Sequence, residues 1–151
     1  MGLVHCILIC CSDIQACVSL IHQHIFLTLG WCKDADNAFL VMCLCKGGDL
    51  QQLLHHKGRL DSATARNLFR QLGESLVYLH KRNICHRDLK LSNLLLNHPA
   101  THNAFPQLQL ADFGLAVRTR NEHLQHTFCG TPNFLPPEVR AIRCWFPSEF
   151  L

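Results

Sequence analysis

The sequence predicts an α+β domain in which a helical body supports a site. Three observations carry this: one long helix-periodic stretch over 62–81, short apolar runs such as Phe39–Met42 and Leu94–Leu96, and an aperiodic stretch from Gly114 to Pro136. The chain has 151 residues, 48% apolar and 17% charged, with net charge +3. That balance excludes an intrinsically disordered chain, and a domain this long removes roughly 70% of its unfolded surface from water. So small a positive charge is no nucleic-acid footprint, so no nucleic-acid partner is expected. No repeat or low-complexity segment interrupts the chain.

The elements follow in order. Leu3 to Cys11 is apolar and reads as a buried strand or helix segment. It lacks a preceding basic residue and falls short of the ~20 residues that span a bilayer. Cys6 stands where a myristoylation signal wants Ser or Thr, so no membrane partner is expected. Phe39-Leu40-Val41-Met42 reads as a strand buried on both faces, broken by Lys46-Gly47-Gly48. Asp49 can cap a short helix carrying Leu50, Leu53 and Leu54, and Gly58 can end it.

The clearest helix runs from Ser62 to Lys81, with Asp61 as N-cap. Ala65, Leu68, Phe69, Leu72, Leu76 and Leu79 form its core-facing stripe. Arg66, Arg70 and Glu74 fall on the other side, and Lys81 and Arg82 suit the negative end of the dipole. Two small apolar strands, Leu94–Leu96 and Leu108–Leu110, are divided by a polar loop from Asn97 to Gln107.

Ten cysteines contain no Cys-x-x-Cys pair, so zinc and redox motifs are not indicated. They read as reduced, buried, hydrophobe-like thiols of a cytosolic protein. His55-His56 and His98 with His102 lack the Glu of a His-Glu-x-x-His helix and read as ordinary histidines.

The chemistry concentrates further on. His86-Arg87-Asp88-Leu89-Lys90-Leu91-Ser92-Asn93 matches His-Arg-Asp-Leu-x-x-x-Asn at every defined position, and Asp112-Phe113-Gly114 and Pro136-Pro137-Glu138 follow in order. On these motifs the sequence resembles the eukaryotic protein kinases, and Lys90 points to their Ser/Thr branch. The resemblance implies a partial protein-kinase-like fold: the end of the N-lobe, the hinge, and the first half of the mainly helical C-lobe. It implies an enzyme that transfers the γ-phosphate of ATP to Ser or Thr hydroxyls of a protein substrate, with Mg²⁺. Asp88 would act on the hydroxyl proton as base and Lys90 would neutralise the transferring phosphoryl group. Asn93 and Asp112 would hold Mg²⁺, a hard cation that favours oxygen ligands. Gly114 would give the backbone freedom to swing Asp112.

The resemblance also makes Met42 the gatekeeper and Cys43-Leu44-Cys45 the hinge whose backbone binds adenine, with Leu95 beneath the ring. Thr131, within Cys129–Phe134, would hydrogen-bond near Asp88 and Lys90. Thr127 would be the activating phosphorylation site, where a phosphate adds about −2 charge for Arg87 to receive. Leu91 to Leu96 and Thr127 to Phe134 look most like the polo-like group, which carries a centrosomal as well as a cytoplasmic address.

The departures are as informative. Neither Gly-x-Gly-x-x-Gly nor Val-Ala-x-Lys occurs, and Asp13 falls where the family has the Glu partner of that lysine. Pro136 replaces a small residue and removes a backbone donor. Glu138 has no evident Arg partner, 139–151 lack an Asp-x-Trp-Ser pattern, and the Asn97–Gln107 loop is longer than its counterparts. The chain therefore divides into an atypical N-terminal segment (1–12), a partial kinase domain (13–138) and an atypical tail (139–151). The alternative function is a catalytically inactive fragment that acts as a binding or competitor module. As a partial domain it is expected to leave apolar surface uncovered and to be poorly soluble.

Overall fold

The computed structural model describes residues 5–8, 19–34, 38–98, 105–118, 129–137 and 139. Asp13, His102, Thr127, Glu138 and the rest of the tail lie outside the described residues. Three antiparallel strands open the fold: β1 (His5–Leu8), β2 (Thr28–Lys33) and β3 (Ala38–Met42). Their order is β1-β3-β2, and a register slip between Thr28 and Gly30 interrupts the β2–β3 ladder. The apolar run from Phe39 thus forms a strand, with β1 inside the Leu3–Cys11 run. It is not buried on both faces: Met42 is buried, whereas Phe39 and Val41 are half-buried. The neighbouring β2 likewise shows Leu29 and Trp31 to solvent.

Two helices follow. Helix α1 (Leu50–Lys57) starts at Asp49, whose Oδ1 accepts from Gln52 N–H at 2.8 Å. It ends at Gly58, whose N–H donates to Leu54 O at 2.8 Å. Helix α2 (Ser62–His80) starts the same way, Asp61 accepting from Thr64 N–H at 2.8 Å. Both caps are local devices, which is why the sequence alone reveals them.

The buried face of α2 differs from the predicted stripe. Leu68 and Leu79 are buried as expected, but Gln71 and Ser75 join them and Phe69 is 76% exposed. The face that packs is turned by roughly a fifth of a revolution from the apolar stripe. Gln71 explains the turn. Its Oε1 accepts from Leu108 N–H at 2.7 Å and its Nε2 donates to Pro106 O at 3.0 Å. An amide side chain thereby satisfies the main chain of a strand edge, and Ser75 bonds Leu72 O at 2.7 Å within its own helix.

Beyond α2 come β4 (Ile84–Cys85), β5 (Leu94–Leu96), β6 (Leu108–Leu110) and β7 (Val117–Arg118). Strands β5 and β6 pair antiparallel, and β4 pairs with β7. The polar loop between β5 and β6 is closed at its base, where Asn97 N–H donates to Gln107 O at 2.9 Å. The core runs under this pair: Ile25, Leu79, Leu96, Leu108 and Leu110 are sealed from solvent, with Leu20, Leu50, Leu68, Ile84 and Leu94 around them.

Cys32, Cys43, Cys45, Cys85 and Cys129 are free thiols. The expectation of burial fails for Cys32, Cys43 and Cys85, which are exposed. In β4 the cause is strand alternation: Ile84 takes the inward position, which leaves Cys85 outward. The expectation of uncovered apolar surface is met by Ile21, Leu29, Trp31, Phe69, Phe105 and Phe134, all exposed.

Candidate active site

The segment 46–49 leaves β3 and runs against β5. Gly47 N–H donates to Leu96 O at 2.9 Å, Leu96 N–H donates to Gly48 O at 2.8 Å, and Asp49 bridges Leu95. A Cβ on Gly47 would lie 2.6 Å from Leu96 O, so only glycine allows this approach. Leu94 and Leu96 point into the core, which turns Leu95, half-buried, to the opposite face. Cys43 N–H donates to Leu27 O at 3.4 Å. The Cys45 thiol is pushed up to about 11, first by burial and then by neighbouring Cys43. It is held as a neutral thiol.

The loop from His86 to Asn93 sits between β4 and β5. Arg87 has φ 64, and a residue in this left-handed region reverses the chain so that Asp88 turns inward. Arg87 Nε donates to Leu115 O at 2.7 Å. His86 is buried, with Nε2 2.9 Å from Ala111 O and Nδ1 3.3 Å from Asp88 N. The neutral ring with its proton on Nε2 satisfies both bonds at once. Burial, the leading cause, lowers its pKa against the pull of the Ala111 carbonyl and nearby carboxylates. Phe113 packs edge-on against this ring at 4.9 Å.

Asp88 is the hub. Its Oδ1 accepts from Thr131 N–H at 3.0 Å and Thr131 Oγ1–H at 2.6 Å. Its Oδ2 accepts from Lys90 Nζ at 2.6 Å and Asn93 Nδ2 at 3.1 Å. Four donors fill the acceptor capacity of one carboxylate. Burial alone would raise this group. The bonds from Lys90 and Thr131 outweigh burial and hold it at about 2. Lys90 Nζ also donates to Thr131 Oγ1 at 3.0 Å, so the hydroxyl accepts from the lysine and donates to the carboxylate. Gly130 delivers Thr131 here. It has φ 111, and a Cβ on it would lie 2.6 Å from Arg87 O.

Asp112 stands at the end of the β6 segment. It is exposed, has φ 61, and accepts from Gly114 N–H at 3.3 Å. Ala111 N–H donates to Asn93 O at 2.9 Å, tying this segment to the other loop. Asn93 is buried and its Nδ2 also donates to Asp88 O at 2.9 Å, which fixes the orientation of the amide. Asn93 and Asp112 thus offer hard oxygen donors of the kind Mg²⁺ prefers.

The structure therefore brings Asp88, Lys90, Asn93 and Thr131 into one bonded cluster, with Asp112 and Arg87 bordering it. Met42 ends β3, Cys43 and Cys45 follow it in the chain, and Leu95 lies on β5. Sequence reasoning assigned no role to His86, which carries a bond from each of two loops. Its signal was its place in the motif.

Comparison with known proteins identifies the family. The model of the family described as "Protein kinase domain" matches residues 9–143. The chain is 35% identical over 131 residues to human "Serine/threonine-protein kinase ULK1", covering 85% of this chain and 12% of that protein. To "Serine/threonine-protein kinase PLK4" of Drosophila ananassae it is 38% identical over 130 residues, covering 85% and 16%. To human "Serine/threonine-protein kinase ULK3" it is 36% identical over 132 residues, covering 87% and 27%. The polo-like resemblance is thus one of several at the same level. The chain spans 12% to 27% of the length of these relatives. Among the described residues no helix is long and apolar enough to cross a membrane. The chain belongs to the protein kinase domain family.

Proposed function

We propose that this chain acts as a protein Ser/Thr kinase, with 13–138 as a partial domain made of the end of the N-lobe, the hinge and the first half of the mainly helical C-lobe. One observation carries the reading: the Thr131 hydroxyl donates to Asp88 and accepts from Lys90. A Ser or Thr hydroxyl of a protein substrate reproduces that pattern by replacing Thr131 Oγ1 at the carboxylate. Asp88, held at about 2, is a weak base, so it orients the hydroxyl and receives its proton late in the transfer. Lys90 places positive charge beside the incoming phosphoryl group. Asn93 and Asp112 would hold Mg²⁺, which when bound neutralises charge on the phosphates of ATP.

The hinge reading assigns adenine to the Cys43 carbonyl and the Cys45 backbone, since Cys43 N–H is bonded to Leu27. Leu95, turned away from the core, supports the ring, and Met42 closes the back. Arg87 receives the phosphate of a modified Thr127. A cytoplasmic location accompanies this reading, with a centrosomal one following from polo-like character.

A second reading is favoured by the sequence itself. The 151 residues contain neither the glycine-rich loop nor the lysine that hold the ATP phosphates. On this reading the polypeptide is a competitor or binding module. Thermal shift with ATP and Mg²⁺, paired with phosphate transfer to a generic Ser/Thr protein, separates the two. The enzymatic reading expects a shift and a transfer rate that Asp88→Asn lowers by about 10²-fold or more. Neither shift nor transfer leaves the module reading standing.

A further inference from the structure

His24 is buried in the segment before β2, and both its ring nitrogens face oxygen. Nδ1 lies 3.1 Å from Leu108 O and Nε2 lies 3.3 Å from Glu74 Oε2. A carbonyl and a carboxylate only accept. A neutral imidazole has one N–H, so it satisfies one oxygen and turns a lone pair toward the other. The imidazolium donates to both. Every charged neighbour enters this balance. Arg70 Nη1 pairs with the other oxygen of Glu74, and Gln23 Nε2 donates to Oε2 at 3.4 Å. The His22 ring stands 5.7 Å away edge-on, its Nδ1 accepting from His24 N–H at 3.2 Å. Burial and then the charge of His24 lower the pKa of His22, and Arg82, stacked on Tyr78, adds to that. From β6 the Leu108 carbonyl faces the His24 ring, while Gln107 and Gln109 bond Gln23 O.

We propose that His24 acts as an imidazolium pin, a positioning residue that fixes the strand delivering Asp112. Helix α2 holds both polar groups of Leu108. Gln71 Oε1 takes its N–H directly, and Glu74 holds its carbonyl through His24. Gln71 and Glu74 are three residues apart, on one helix face. Two residues on, Leu110 N–H donates to His24 O and Leu110 O accepts from Phe26 N–H, both at 2.9 Å. Ala111 and Asp112 come next in the chain. The link to phosphoryl transfer rests on the reading of Asp112 as a Mg²⁺ ligand. The pin itself does not.

A double-mutant cycle on the whole chain tests it, with His24→Asn and Glu74→Gln unfolded in urea at pH 6 and pH 8.5. Asn keeps a neutral donor for Leu108 O but carries no charge. A coupling of about fivefold or more in the unfolding constant at pH 6, absent at pH 8.5, is the result expected. Amide exchange, corrected for intrinsic rate and referenced to Leu79, supplies the positioning readout. Ala111 should lose protection about fivefold at pH 8.5 in the natural chain and show no pH response in His24→Asn. Coupling or protection that is the same at both pH values overturns the pin. Binding of Mn²⁺ alone separates the two readings: with the pH responses present and no Mn²⁺ bound, the pin stands and the metal role of Asp112 falls.

Discussion

The cluster around Asp88 and the sheet that precedes it follow opposite rules. At Asp88 four donors converge on one buried carboxylate, and among the described residues no buried side-chain nitrogen or oxygen lacks a partner. The sheet β1-β3-β2 shows Leu29 (54%) and Trp31 (45%) to solvent. The contrast teaches where the fold is self-sufficient. The cluster around Asp88 satisfies its polar groups internally, through loops that bond one another. The sheet presents apolar side chains that nothing among the described residues covers.

The contrast can be broken hardest at Gly130. In Gly130→Ala a methyl would sit 2.6 Å from Arg87 O and 2.8 Å from Leu135 Cδ2, at φ 111. Thr131 must then leave Asp88. A loss of about 2–4 kcal/mol in urea unfolding is expected, with loss of any phosphate transfer. Unchanged stability would show that the loop from Gly130 is not part of the cluster.

Acid acts next, in two steps with different causes. His86 has a folded pKa below the ordinary 6.5, so below that pH the unfolded chain takes up a proton that the native one refuses. Its contribution is present above about 6.5 and falls as the solution is acidified. Asp88 at about 2 contributes above its unfolded value of 3.8, and that contribution, about 2 kcal/mol, is lost between the two. Unfolding at pH 7, 5 and 3 checks both, with His86→Asn removing the first step and Asp88→Asn the second. A profile that neither variant alters would separate these groups from stability.

The smallest effect belongs to the sheet. Trp31→Thr keeps a strand-favouring residue and should change stability by less than about 1 kcal/mol. It should nevertheless reduce self-association, read by light scattering, because the exposed ring is removed. A loss as large as that of Gly130→Ala would mean that the sheet is as internally satisfied as the cluster.

Much was legible because its causes are local. Asp49, Gly58 and Asp61 act within four residues, and the Leu94–Leu96 and Leu108–Leu110 runs are long enough to be read as strands. The residues around Asp88 were legible from motif spacing. Two-residue strands such as β4 and β7 were not, since they carry no period and exist only because Ile84 and Arg118 meet. Phe69 misled because helical period gives a stripe, while the partner decides which part of it packs.

The amino-acid sequence by itself determined the helices, their caps and the kinds of group gathered around Asp88. Those depend on short-range geometry and on chemical type. Only tertiary structure decided that Gln71 would be buried, that Thr131 would bond Asp88 and Lys90, and that His24 would stand between two acceptors. Each of those rests on a bond across more than thirty residues of chain. Such bonds follow from how the elements pack, because a buried polar atom must find its partner wherever the fold brings one.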